Sequence, residues 1–113
     1  MSLLKMVKNL LTSRNAINSL DYDLDEYYPT TDELKRQKNE IKNFKKKPVI
    51  SIVVPTYNTP LNYLKACLDS VIVQTYPFWE LCIADDASTD KKVIKEIEKY
   101  QKADNRIKFI ARQ

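Results

Sequence analysis

With 113 residues, 43% apolar and 30% charged, the chain has the composition of one small soluble domain plus an extension, not of a disordered or membrane-embedded protein. Its net charge of +4 is spread thinly, ten Lys or Arg against seven Asp or Glu in residues 1–48 and nine against eight in 49–113, without the dense basic patch of a nucleic-acid binder. Glycine and histidine are both absent, which excludes a P-loop, a dinucleotide fingerprint and any imidazole general base.

At the amino terminus Leu3, Leu4, Met6, Val7, Leu10 and Leu11 recur at helical spacing and predict an amphipathic helix within residues 3–20. Such a helix suits packing on its own domain, self-association or a peripheral membrane contact. With only Lys5, Lys8 and Arg14 as cations, packing is the favoured expectation. No apolar run is long enough to span a bilayer and no signal-peptide pattern is visible, so the expected location is the cytoplasm, with the inner face of the membrane as a variant. Asp21 to Tyr28 is acidic and aromatic and reads as an irregular connection closed by Pro29. Thr30 and Glu33 then stand in capping-box relation, which starts a helix at about Thr31. Leu34, Gln37, Ile41 and Phe44 form its narrow stripe, the run Lys45, Lys46 and Lys47 follows, and Pro48 stops it. Residues 1–47 are thus expected to be a helical extension and 48–113 a separate α/β domain.

Val49 to Asn58, VISIVVPTYN, is a β-branched run that predicts a strand ending at Pro55. The lack of alternation predicts burial on both faces, as in a central parallel strand. Thr59 and Pro60 start a helix, with Thr59 as the expected cap and Pro60 in the first turn. Leu61, Leu64, Leu68, Val71 and Ile72 mark its buried face up to about Thr75, and its positive end would favour a phosphate. Trp79 to Ala84 predicts a second strand, ending in Asp85 and Asp86, with Trp79 as a core aromatic. Cys67 on the helix and Cys82 on this strand have neither metal-ligand nor disulfide spacing and read as small apolar side chains. Ser88, Thr89 and Asp90 are capping candidates for a helix faced by Val93, Ile94, Ile97 and Tyr100, supported by a Glu98 and Lys102 pair. Arg106 to Ala111 predicts a third strand. The order βαβαβ makes a parallel three-stranded unit, and in such sheets ligands bind beyond the carboxyl ends of the strands. Adjacent carboxylates at a strand end face opposite sides, so Asp85 and Asp86 cannot both address one pocket.

ISIVVPTYN, then SVIVQTYPFWEL, then IADDASTD resembles the amino-terminal, nucleotide-binding part of an inverting family 2 glycosyltransferase of the GT-A fold. The likeness covers about residues 48–112. It implies a Rossmann-like half domain, truncated before the family's DxD segment, whose whole enzyme transfers a sugar from a nucleotide donor, expected to be UDP-linked, to a glycan or lipid-linked acceptor in cell-surface polysaccharide synthesis. It assigns Asp86 to the N3–H of uracil, Tyr57 to packing near the base, and Pro55 and Thr56 to the floor. Asn58 and Asp85 are expected to organise the loops. A divalent metal, Mn or Mg, is implied for the whole enzyme with its ligands outside this chain, and no catalytic or metal residue is expected here. Ala87 stands where the family's DDGS has glycine, and Thr59 where an acidic residue often follows YN; both put the donor's identity in question. Two other classes fit a bare α/β unit. A phosphate-accepting receiver domain would need an aspartate at the end of the third strand, where Ala111, Arg112 and Gln113 stand, and a noncatalytic interaction module would rest on the amino-terminal helices.

Overall fold

The structure, a computed structural model, describes residues 29–112. The expected helix within residues 3–20 and the connection from Asp21 to Tyr28 lie outside the described residues. The chain divides into two compact units, the second beginning at Lys38.

Helix α1, Thr31–Lys42, opens on the capping box. The Thr30 N–H donates to Glu33 Oε2 (2.6 Å) and the Glu33 N–H donates to Thr30 Oγ1 (3.2 Å), so two of the orphan amides of the first turn are satisfied reciprocally. The helix ends at Lys42, ahead of Pro48, and Leu34, Gln37 and Ile41 are half-buried.

Strands β1 (Ile50–Thr56), β2 (Trp79–Asp85) and β3 (Ile107–Ala111) alternate with helices α2 (Leu61–Ile72) and α3 (Lys91–Ala103). Both strand pairs are parallel and the order is β1-β2-β3. Alternation along β2 sends Trp79, Leu81 and Ile83 into the core, where they meet Leu64, Leu68 and Val71 of α2, Val93 and Ile97 of α3, and Ile107 of β3. Ile52 and Val54 of β1 and Phe109 of β3 pack against the same cluster. Each fully buried Leu or Ile contributes about 1.5–3 kcal/mol of transfer free energy, so this one layer carries most of the apolar stabilisation of the unit.

The other sheet face is different. Val53 and Ile110 are 69% and 70% exposed, and Pro55 and Ala84 between them are exposed as well. β1 is therefore not the doubly buried central strand that its composition suggests: it stands at an edge, and the central strand is β2. A β-branched run encodes an extended backbone, but which neighbours flank it is set by the rest of the sheet.

Helix α2 begins one residue later than expected, with Pro60 as its cap residue and no side-chain cap from Thr59, and it closes at Ile72 with Val73 as C-cap. Asp90 caps α3 by accepting from the Lys92 N–H (2.9 Å). The ion pairs on α3 involve Glu96, which meets Lys99 and Lys65, rather than Glu98. Cys67 and Cys82 are free and half-buried. Where β2 and β3 begin, Arg106 lies with its guanidinium 3.7 Å from the centroid of the Trp79 ring, gripped by Asp104 and donating to the Pro77 carbonyl (3.0 Å).

Candidate functional site

Register sets the site. Parallel pairing places Pro55 beside Ala84 and Ala84 beside Ile110, and one residue on it places Thr56 beside Asp85 and Asp85 beside Ala111. The first row belongs to the uncovered face and the second to the helix-covered face. The ladder runs one step past the strands, since the Asp86 N–H donates to the Thr56 carbonyl and the Arg112 N–H to the Asp85 carbonyl, both at 2.9 Å. Pro55, Ala84, Asp85, Asp86, Ile110, Ala111 and Arg112 line an open groove at this carboxyl end.

The two adjacent carboxylates have opposite environments. Asp85 is buried and accepts from Thr56 Oγ1 (2.9 Å), from the Ser88 N–H (2.7 Å) and from Ser88 Oγ. Burial pushes its carboxyl up, but the Ser88 hydroxyl and amide and the Thr56 hydroxyl outweigh that and hold it below the ordinary carboxylate range. Asp86 is exposed, and its Oδ1 accepts from the Arg112 guanidinium at 3.1 Å. An ionised carboxylate at the lip of an apolar groove can accept an N–H from a flat ligand whose faces rest on Pro55, Ala84 and Ile110.

A second set of bonds ties the β1 loop to the β2 loop. The Asn58 N–H donates to Ser88 Oγ (2.8 Å), while Asn58 Oδ1 accepts from the Thr89 N–H (2.9 Å) and the Asp90 N–H (3.1 Å). Asn58 has φ 44° and Ala87 φ 58°, both left-handed. Asn tolerates that region well; Ala does so at a cost.

Of the residues singled out by sequence, Pro55 and Asp86 face the groove and Asp85 contributes to its wall. The Thr56 hydroxyl instead turns inward to Asp85, and Tyr57 is exposed and not among the lining residues. The first turn of α2 does not line the groove either. Arg112 is the residue that sequence reasoning did not assign to the site. Its signal lay in the register: it follows β3 by one residue as Asp86 follows β2 by one. Among the described residues no three His, Cys, Asp or Glu side chains come together to hold a metal ion, and no helix is long and apolar enough to cross a membrane.

Comparison with known proteins converges on this segment. The chain is 41% identical over 66 residues to the glycosyltransferase GlyA of Streptococcus pneumoniae, covering 57% of this chain and 9% of that protein. It is 33% identical over 79 residues to a chondroitin synthase of Escherichia coli, 70% of this chain and 11% of that protein, and 42% identical over 60 residues to a hyaluronan synthase of Streptococcus pyogenes, 50% and 14%. The chain thus spans about a tenth of the length of these curated relatives. No solved structure matches it. The model of glycosyl transferase family 2 matches residues 51–113, more than half of the sequence and the part that holds all three strand ends, and the chain belongs to that family.

Proposed function

We propose that this chain supplies the donor-nucleotide site of a sugar-transferring enzyme, binding the nucleotide of a UDP-linked sugar in the groove beyond β1, β2 and β3. The observation that carries this reading is the division of labour between two neighbouring carboxylates, Asp85 buried and accepting three hydrogen bonds, Asp86 exposed at an apolar groove. A uracil ring would lie against Pro55, Ala84 and Ile110 with its N3–H directed to Asp86. Tyr57 stands beyond the lining as a side chain that could close over the ring, and Thr56 acts through Asp85. Asn58 and Asp85 hold the two loops in place.

Transfer itself needs neutralisation of the leaving diphosphate and a base for the acceptor hydroxyl. The family uses a divalent metal, Mn or Mg, for the first; the described residues offer no fitting donor set, so no step is assigned to a metal here. The relatives named for chondroitin and hyaluronan synthesis support a role of the whole protein in polysaccharide synthesis, and a glycan or lipid-linked acceptor is part of the same reading. A cytoplasmic location, at or near the inner face of the membrane, belongs to the same reading.

Calorimetric titration of the full chain with UDP tests it, with uridine as a control for the base alone and with and without manganese. Saturable binding is expected at concentrations up to about 1 mM. No heat and no saturation with UDP under either condition would remove the nucleotide reading. The chain incubated with UDP-sugars and manganese is expected to release no transferred product, and clear product would show that it is catalytically self-sufficient.

A further inference from the structure

The exposed Asp86 carboxylate is not alone at the groove, because Arg112 closes on one of its oxygens. Arg112 is anchored by its own backbone, whose N–H donates to the Asp85 carbonyl, and its guanidinium meets Asp86 Oδ1 at 3.1 Å. Both side chains line the groove with Pro55, Ala84 and Ile110. Among the described residues Asp86 Oδ2 takes no hydrogen bond. A guanidinium carries five N–H donors and no acceptor, so most of its donors remain after one is spent on Oδ1.

We propose that Arg112 is a specificity-determining residue for the nucleobase: together with Asp86 it presents an acceptor beside a donor, the complement of a ring N–H flanked by a carbonyl. The inference rests on the nucleotide reading above and deepens it. In this arrangement Oδ2 accepts the uracil N3–H, Oδ1 stays with Arg112, and a second Arg112 N–H donates to O4, the one of the two flanking carbonyls that cytosine replaces with an amine. Cytosine presents a bare ring nitrogen and an exocyclic amine at the same edge, so it faces a carboxylate with an acceptor and a guanidinium with a donor. Both contacts are then mismatched, and the discrimination comes from unpaired polar groups rather than from shape.

UDP and CDP carry the same diphosphate, so their ratio of affinities cancels whatever Arg112 does for phosphate. Titration of the full chain with each nucleotide, for wild type, Arg112→Ala, Arg112→Gln and Arg112→Lys, therefore isolates the base. Arg112→Ala is expected to weaken UDP about fivefold to tenfold while changing CDP less than about twofold, so that the UDP preference falls toward unity. Arg112→Lys keeps a cation and a donor and should recover part of the preference; Arg112→Gln keeps a donor without the charge and should recover less. Equal losses for UDP and CDP in Arg112→Ala, with an unchanged melting temperature, would overturn the proposal and leave Arg112 a phosphate or surface contact. If wild type binds neither nucleotide, the nucleotide reading itself falls and this inference with it; if wild type binds UDP and CDP equally, only this inference falls.

Discussion

Thr56, the last residue of β1, donates its hydroxyl to Asp85, the last residue of β2, at 2.9 Å inside the protein. The bond stitches two parallel strands at the end where the ladder would otherwise fray, and it explains why a carboxylate is tolerated at 3% exposure. With the Ser88 amide and hydroxyl on the same carboxylate, Asp85 is one of two side chains, Asn58 being the other, that hold the loop carrying Asp86. Asp85 lies on the link from packing to function without touching the groove through its charge.

Asp85→Asn is therefore expected to lower stability by about 1.5–3 kcal/mol at neutral pH, since it keeps the size of the side chain and loses charge-assisted acceptance. The carboxyl is held below its ordinary value in the folded state. Its contribution is then fully present above the unfolded pKa of about 3.9 and is lost as pH falls through the lower folded value. Urea unfolding of wild type and variant from pH 7 down to pH 3 should show the gap narrowing in the acid range. A gap independent of pH would mean that packing, not charge, is what the substitution removed.

The two left-handed residues should respond to glycine with opposite signs. Ala87, at φ 58°, has no side-chain bond to compensate for its Cβ, so Ala87→Gly should raise stability by about 0.5–1 kcal/mol after the greater freedom of unfolded glycine is deducted. Asn58 sits at φ 44° as well but gives its side chain to the Thr89 and Asp90 amides. Asn58→Gly should cost about 1–2 kcal/mol by leaving those donors without their acceptor. Thermal melts of the two variants decide it; two shifts of the same sign would contradict the account.

These residues also mark where sequence stops being informative. The βαβαβ order, the capping box at Thr30 and Glu33 and the apolar faces of α2 and α3 depend on local spacing, and each is found in the structure, except that Ile72, expected on the buried face of α2, is exposed at the last residue of the helix. The open face beside β1 does not, because Val53 looks the same in sequence whether or not anything covers it. Nor does the Arg112 contact, which exists only because parallel register brings residues 86 and 112 side by side. The inward turn of Thr56 is of the same kind: its neighbour across the strand pair, not its position in the chain, determines what its hydroxyl meets.

On the far side of the sheet unit, Arg106 stacks on Trp79, forms a forked pair with Asp104 and donates to the Pro77 carbonyl. The Asp104 contact holds the Arg106 guanidinium above its ordinary value and, in turn, the Asp104 carboxyl below its own. Arg106→Lys preserves the charge but neither the planar stack nor the fork, so it is expected to cost about 1–2 kcal/mol. Chemical denaturation of Arg106→Lys beside Arg106→Met separates the parts. If lysine restores full stability, the fork and the stack contribute nothing beyond charge.

Asp86 carries the test of the nucleotide site. A carboxylate that accepts the uracil N3–H makes a charge-assisted bond, and its loss should cost about 1.5–3 kcal/mol, roughly tenfold to a hundredfold in UDP affinity. Asp86→Asn keeps the shape but can turn an amide donor toward the base, so it should weaken UDP and relax discrimination against CDP, whose ring nitrogen accepts. The side chain is exposed, and its one ion pair, with Arg112, is at the surface, so the substitution should leave the melting temperature within about 1 kcal/mol of wild type in free-energy terms. Asp85→Asn should show the reverse pattern, a clear loss of stability with the UDP to CDP ratio retained at a temperature where the protein stays folded. Both nucleotides titrated into both variants give four affinities and two melting curves. An intact UDP affinity in Asp86→Asn with loss of base preference in Asp85→Asn would exchange the roles of the two carboxylates, and no effect of either on UDP would put the nucleotide elsewhere on the chain.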